Sequence, residues 1–81
     1  MKNCINLDKL NIGESCVVES LNCSNKLRKY FLNLGIIEGT YISAAFKSPF
    51  NNPVAYDIRN KLIAIRNQDA NKIMVKTIKN V

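Results

Sequence analysis

Short segments in which apolar and polar residues alternate run along most of the chain, and this pattern predicts β-strands. The first segment contains the β-branched residues Val17 and Val18, which favour a strand there. The predicted strands cover residues 14–21, 40–47, 54–59, 62–66 and 73–78. Ahead of them, Leu7 and Leu10 lie in a lead-in segment, and both are expected to pack against the core.

The period changes to that of an α-helix between residues 24 and 34. Apolar residues recur there at the spacing of one helix face: Leu27, Tyr30, Phe31 and Leu34. Ser24 precedes this segment, and its hydroxyl can accept a hydrogen bond from an amide of the first turn. The sequence therefore predicts one helix, capped by Ser24, after the first strand.

Two glycines follow this helix closely and predict a joint between the helix and the next strand. Gly35 stands just past the predicted end of the helix, where a left-handed backbone favours glycine. Gly39 allows a second turn before the strand begins. Between them, Ile36 is expected to return to the core, and Ile37 is a second candidate for it. A phosphate-binding loop is excluded, because such a loop precedes a helix whereas this one follows it.

Prolines and asparagines mark the next turn of the chain. Pro49 and Pro53 end strand pairing on the two sides of a loop. Between them, Asn51 and Asn52 tolerate a left-handed backbone. We therefore predict a structured turn at residues 48–53.

The complete pattern indicates a mainly β fold. A tight turn is predicted at residues 60–61, and residues 67–72 fit one short helical turn before the last strand. About five antiparallel strands with one α-helix after the first are typical of a small SH3-like barrel. An open five-stranded sheet backed by the helix is the structural alternative. The 81 residues are interpreted as one SH3-like domain, 1–81.

Charge and cysteine content indicate which kind of partner and which cellular compartment to expect. Twelve Lys and Arg residues against six Asp and Glu residues give a net charge of +6 at pH 7. Such a charge favours an anionic partner, although it also serves solubility alone. Cys4, Cys16 and Cys23 are an odd number and no secretory signal precedes them, so we expect reduced thiols and a cytoplasmic location. Cys16 is interpreted as a core residue.

Several chemistries are not supported by the residues. The chain has no histidine, which excludes Ser-His-Asp and Cys-His nucleophile arrangements. The carboxylates are scattered singly, so no acid and base pair is apparent and an enzyme is not expected. The cysteine spacing is not that of a zinc site, and no oxygen-rich loop suits a hard cation. We therefore expect no catalytic residue, no metal ligand and no cofactor.

Several basic residues lie near an aromatic one, a pattern that can serve nucleic-acid binding. Arg59, Lys61 and Arg66 alternate with Tyr56 around the predicted turn, and basic residues among aromatic ones can track phosphates and stack bases. However, no aromatic run of the RNA-binding type and no arginine-rich segment are found. A solvated sheet face is the favoured interpretation.

An ordered set of segments resembles the ferrous iron transport protein A family. The helix-turn-strand segment from Leu27 through Gly35 and Gly39 to Ile42 is similar to the family's signature. Segments in the same order on both sides extend the resemblance over about residues 7–78: 10–14, 48–54, 62–66 and 69–75. One departure is Asn51-Asn52, where the family more usually carries glycine and aspartate. Asp69 stands where glutamate is commoner.

The resemblance implies a function in bacterial ferrous iron uptake. Members are small cytosolic SH3-like domains that are thought to act on the membrane transporter with its attached GTPase domain. We therefore expect a non-enzymatic accessory protein, a monomer or weak dimer, that docks on the cytoplasmic part of this transporter and modulates it. Contact with the membrane is expected only indirectly, by recruitment to its inner face. Transition-metal binding is described at the family level, but the residues do not support a strong site here. The alternatives are a nucleic-acid-binding SH3-like barrel and a metal-sensing regulatory domain.

Two groups of residues are the candidates for contact with the partner. SH3-like barrels present loops and a shallow aromatic groove to other proteins. The first group is Phe50, Tyr56, Arg59 and Lys61. The second lies on the helix surface and consists of Lys26, Arg28, Lys29 and Asn33. Positive charge near a helix start opposes the helix dipole, so these cations invite a functional explanation.

Overall fold

A computed structural model describes residues 4–78 of the chain. Residues 1–3 and 79–81 of the predicted domain lie outside the described part. The described elements, in chain order, are β1 (Cys4–Asn6), a 3₁₀ turn (Leu7–Lys9), β2 (Ser15–Leu21), α1 (Asn25–Asn33), β3 (Tyr41–Lys47), β4 (Val54–Ile58), β5 (Lys61–Ile65), α2 (Asn67–Ala70) and β6 (Ile73–Ile78).

All six strands belong to one antiparallel sheet with the order β1-β6-β2-β3-β4-β5. The mainly β fold is thus confirmed, with one strand more than predicted. The additional strand is β1, which was interpreted as a lead-in and pairs with β6 through Cys4 and Lys76. Three residues are too few to show an alternating pattern, so the sequence did not reveal it.

The sheet bends around one hydrophobic core. The hydroxyl of Tyr56 in β4 donates a hydrogen bond to the carbonyl oxygen of Leu7, directly after β1, at 3.4 Å. Three strands separate β1 from β4 in the sheet order, so this contact requires strong curvature. Leu7, Leu10 and Cys16 are buried in the core, as predicted.

Helix α1 begins as predicted. The Ser24 Oγ accepts a hydrogen bond from the Leu27 amide at 3.2 Å, which is the expected N-cap. Phe31 is fully buried, and Leu27 and Leu34 pack beside it. Tyr30 was predicted on the same face but is half-exposed, because adjacent helix positions point about 100° apart and Phe31 takes the central one.

The joint after α1 has the predicted left-handed glycine. Gly35 has a φ of +85°, its amide donates to the Leu32 carbonyl at 2.9 Å, and the Ile36 amide donates to the Phe31 carbonyl at 2.9 Å. This pair of bonds is the Schellman motif, which ends a helix. Gly39 also has a positive φ, of +90°. Ile36 is buried as expected, whereas Ile37 is exposed, because the chain turns outward toward Gly39.

The turn between β4 and β5 lies one residue earlier than predicted. Ile58 pairs with Lys61, so the turn consists of Arg59 and Asn60, which have φ values of 52° and 67°. Two positive φ values in a two-residue loop correspond to a type I′ hairpin turn. The usual signal for this turn is Asn-Gly or Asp-Gly, and Arg59 at the first position concealed it.

Candidate partner-binding surface

The structure exposes most of the predicted contact residues. Seven of the eight side chains are classed as exposed: Phe50, Arg59, Lys61, Lys26, Arg28, Lys29 and Asn33. They fall into two regions, one around β5 and one on α1. Exposure is necessary for contact with a partner, so these seven remain candidates.

The prediction that Tyr56 contacts a partner is wrong, because this side chain is only 1% exposed. Tyr56 pairs with Ala44 on one side and Ile63 on the other, and β4 turns only Asp57 outward. Burial, reinforced by the charges of Asp8 and Cys16, raises the pKa of the Tyr56 hydroxyl to about 12. Tyr56 is a core residue that supports the hairpin from beneath.

The loop at residues 48–53 holds Phe50 at its tip, where the ring is 89% exposed. Asn51 has a φ of 65°, so it supplies the left-handed backbone expected of it. The Ser48 carbonyl accepts from the Asn51 amide at 2.8 Å, and the Ser48 hydroxyl accepts from the Asn52 amide at 3.0 Å. The loop is therefore closed by its own polar groups.

The same loop is fixed to the segment that follows β5. The Asn67 amide donates to the Asn52 Oδ1 at 2.9 Å, and the Asn67 Nδ2 donates to the Asn51 carbonyl at 3.3 Å. Asn67 is the first residue of α2, so Asn52 acts as an acceptor for an otherwise unpaired amide of this short helix. These bonds bring Phe50 to the Ile65 end of β5.

At the other end of β5, Arg59 is folded back against the end of α1. Its Nε donates a hydrogen bond to the Gly35 carbonyl at 3.0 Å. The buried Thr40 hydroxyl donates to the same carbonyl at 3.2 Å and accepts from the Ile37 amide at 3.0 Å. The hairpin turn, the helix end and the start of β3 therefore meet at one backbone oxygen.

Phe50, Arg59 and Lys61 thus lie near the ends of a single strand, β5. Arg59 and Lys61 stand at one end of β5, and Phe50 stands at the other. Two residues outside the predicted contact groups complete this region, which is called the β5 surface: Leu62, which is 61% exposed, and Arg66, which was considered only for nucleic-acid binding. Leu62 could have been found from the sequence, since it lies on the same face of the predicted strand as the charged Arg66.

The second region is the surface of α1. Lys26, Lys29 and Asn33 are exposed, and the Arg28 Nη2 donates to the Leu21 carbonyl at 2.9 Å. A shallow groove of about 410 Å³ lies beside them, and its lining residues are Leu21, Arg28, Leu32, Ile36, Ile37 and Glu38. Leu32 is 57% exposed and Ile37 42% exposed. Leu32 was not predicted, because it lies outside the apolar face formed by Leu27, Phe31 and Leu34.

A polar depression of about 380 Å³ lies at the Arg59 side of the hairpin. Its lining residues are Gly39, Thr40, Tyr41, Ser43, Asp57, Arg59 and Asn60. Arg59 belongs both to this depression and to the contact with Gly35, the residue that ends α1. It therefore stands between the β5 surface and the α1 surface.

The described residues offer neither a metal-binding cluster nor a membrane-spanning helix. Within residues 4–78, no group of three or more Cys, Asp or Glu side chains could hold a metal ion. Cys4 is exposed, Cys16 is buried and Cys23 is half-buried, and all three are free thiols. No helix of the described part is long and apolar enough to cross a membrane.

Comparison with known proteins relates this fold to iron transport. The family model for the FeoA domain matches residues 5–77. The chain belongs to the FeoA domain family. The Fe(2+) transport protein A/Fe(2+) transporter FeoB fusion protein of Porphyromonas gingivalis is 31% identical to it over 72 residues. These residues are 89% of this chain and 8% of the fusion protein, so the chain corresponds to a small part of that relative.

Solved structures of FeoA proteins have the same architecture. The FeoA-like protein of Clostridium acetobutylicum superposes with a TM-score of 0.89 at 26% identity, over 100% of this chain and 94% of that one. The FeoA of Stenotrophomonas maltophilia, which was solved with zinc and is described as a procaryotic SH3 domain protein, gives a TM-score of 0.74 at 24% identity. That match covers 93% of this chain and 88% of the other. The predicted SH3-like fold and the resemblance to the family are confirmed.

Proposed function

We propose that this FeoA domain is a cytoplasmic accessory protein of ferrous iron uptake. It docks on the cytoplasmic, GTPase-linked part of the ferrous iron transporter and modulates transport, without catalysing a reaction itself. The observation that carries the proposal is the Porphyromonas gingivalis relative, which combines Fe(2+) transport protein A with the Fe(2+) transporter FeoB in one polypeptide. Joining two proteins in one chain raises their effective concentration for each other, which benefits partners that act together.

The surface chemistry supports a protein partner. The β5 surface presents two apolar side chains, Phe50 and Leu62, among the cations Arg59, Lys61 and Arg66. The α1 surface likewise combines apolar residues in a groove with exposed cations. Apolar anchors surrounded by charge are typical of protein-binding surfaces, since the anchors supply affinity and the charges select the partner.

The proposal is tested by two measurements, one in cells and one on purified proteins from the same organism. The first is ferrous iron uptake in cells that lack this protein, with and without the wild-type chain supplied in trans. The second is binding of the purified chain to the soluble cytoplasmic part of the transporter. We expect uptake to change on deletion and to be restored by the wild type, and we expect direct binding. Unchanged uptake together with no binding would refute the proposal.

The two candidate surfaces are then separated by substitution. Phe50→Ala removes the apolar tip of the 48–53 loop, and Lys29→Glu reverses a charge on α1. Both positions are exposed and neither makes a described side-chain hydrogen bond, so the fold should be retained. The surface that contacts the transporter is the one whose variant loses binding. Equal binding by both variants and the wild type would exclude both residues as contacts.

A further inference from the structure

Strand β5 forms one edge of the sheet. The geometry of the hairpin turn determines which of its backbone groups point away from β4. Ile58 and Lys61 flank a two-residue turn, so they form a hydrogen-bonded pair. Along an antiparallel ladder such pairs alternate with pairs that are not hydrogen-bonded. Leu62 and Ala64 belong to the second kind, and their amide and carbonyl groups therefore point away from β4.

The outward groups of β5 have no strand partner among the described residues. Within residues 4–78, β4 is the only strand that pairs with β5, and Leu62 and Ala64 are both exposed. The opposite edge of the sheet is β1, which has three residues, whereas β5 has five. A very short edge strand is one of the ways in which proteins avoid pairing with other chains. The longer and open β5 lacks that protection.

Charges flank this edge at both ends. Lys61 stands at its start and Arg66 follows its end, whereas the Arg59 side chain is folded back against Gly35. Asp57, the nearest acidic residue along the hairpin, lies on β4 opposite Leu62 and not on the open side. The edge is thus a row of backbone groups without a strand partner between two cations, and the loop that carries Phe50 is joined to Asn67 just beyond its Ile65 end. An occupant that satisfies all of these groups is an extended segment carrying acidic residues.

We propose that β5 binds such a segment by strand addition: an extended, acidic stretch of the cytoplasmic part of the transporter pairs with the outward backbone groups of Leu62 and Ala64. In this mode the main chain supplies affinity, and neighbouring side chains supply selectivity. Lys61 and Arg66 attract the acidic residues, and Phe50 covers an apolar one. The inference rests on the proposed function, since it names the surface through which that partner is held.

The backbone pairing is tested by Ala64→Pro. Proline removes the outward amide of residue 64 but leaves the ladder with β4 intact, because edge strands tolerate proline where the amide faces solvent. Ala64→Ser is the matched control, since it keeps the amide. Binding to the soluble cytoplasmic part of the transporter is measured by calorimetry. We expect the proline variant to bind at least about tenfold more weakly and the serine variant to bind within about twofold of the wild type.

Hydrogen exchange on the wild-type chain provides a measurement that needs no variant. Strand addition should slow exchange of the Leu62 and Ala64 amides when the transporter fragment is bound. Charge is tested by Lys61→Glu against Lys76→Glu, which makes the same change in net charge on β6, a strand separated from β5 by three others in the sheet order. Only the first should weaken binding substantially.

The outcomes separate this inference from the proposed function. If the wild type does not bind the transporter fragment, the proposed docking and this inference both fall. The strand-addition inference alone is refuted if the wild type binds without protection of its Leu62 and Ala64 amides and Ala64→Pro binds equally well. If sedimentation shows that Ala64→Pro abolishes self-association but leaves transporter binding intact, the occupant is a second copy of this chain, which also refutes it.

Discussion

The side chain of Arg59 occupies the space in which any other residue at position 35 would place its Cβ. A Cβ built on Gly35 would lie 2.9 Å from the Arg59 Cδ and 3.0 Å from its Nε. The same Nε donates to the Gly35 carbonyl at 3.0 Å. Gly35 is therefore required for two separate reasons, its positive φ and the close approach of Arg59.

These two reasons can be measured separately. Gly39 has a similar φ, of +90°, but nothing lies within 4 Å of its Cβ position. Gly39→Ala should therefore lower the free energy of unfolding by about 1 kcal/mol, from backbone strain alone. Gly35→Ala should cost about 1 kcal/mol more, because Arg59 must move and lose its hydrogen bond. Urea denaturation of both variants gives the two values.

The contribution of Arg59 is isolated by a double-mutant cycle. In an Arg59→Ala background, the cost of Gly35→Ala should fall to that of Gly39→Ala. An unchanged cost for Gly35→Ala in that background would show that Arg59 has no part in the requirement for glycine.

The Gly35 joint also shows what the sequence could and could not predict. The helix periodicity, followed by a glycine, was enough to predict the left-handed residue, because these signals are local. The Arg59 contact joins residues 24 positions apart, and no local pattern indicates it. Tyr56 was misplaced for a similar reason. An aromatic residue among basic ones is compatible with a surface, and only the curvature of the sheet buries it.

Local signals predicted the elements and the fold class, but not the side-chain contacts that join distant elements. Most strand boundaries agree within one residue, and β6 agrees fully, since apolar alternation and turn residues mark them. Phe50, Arg59 and Lys61 were predicted as one group, but the fixing of the Phe50 loop beside the end of β5 could not be predicted. It depends on the hydrogen bonds from Asn67 to the 48–53 loop, which join side chains and backbone across two elements.

Asn52 provides a second test of stability. Asn52→Ala removes the acceptor for the Asn67 amide and should lower the free energy of unfolding by about 1 kcal/mol, the usual cost of losing a helix cap. Asn52→Asp keeps an acceptor oxygen, and its charge favours the start of α2, so it should be at least as stable as the wild type. Thermal and urea unfolding at pH 7 measure both. A destabilised aspartate variant would contradict the assigned role of the side chain.

Tyr56 should make stability depend on alkaline pH. Its hydroxyl keeps its proton in the folded chain up to a pKa of about 12, whereas the unfolded chain releases it near the ordinary value of 10.0. The resulting stabilisation is complete below pH 10 and is lost as the pH rises toward 12. Tyr56→Phe should therefore lose less stability than the wild type between pH 10 and pH 12.

At pH 7 the Tyr56→Phe substitution should cost no more than about 1 kcal/mol, since the 3.4 Å hydrogen bond to Leu7 is long. Cys16, whose pKa is raised to about 12 mainly by burial, also lowers the stability of both proteins at alkaline pH. Its effect is common to the two proteins and cancels when they are compared. Urea denaturation at pH 7, 10 and 11 measures the difference. Parallel pH profiles for the two proteins would contradict the prediction.

Ferrous ion should not stabilise the isolated chain. A metal that binds only the folded state raises the melting temperature by mass action, but the thiols of Cys4, Cys16 and Cys23 lie in different environments. We therefore expect the same melting curve with and without excess ferrous ion under anaerobic conditions. A rise in melting temperature that depends on ferrous ion concentration would show that the chain itself holds the metal.

The hydrogen bonds within the 48–53 loop have a consequence for the entropy of association. Phe50 is almost fully exposed, yet the loop beneath it is closed by Ser48 and fixed to Asn67. A flexible loop would have to be immobilised at the moment of binding, and that ordering would reduce affinity. Here the ordering has already taken place during folding. A partner that covers the Phe50 ring gains the burial of an aromatic side chain with little loss of backbone freedom.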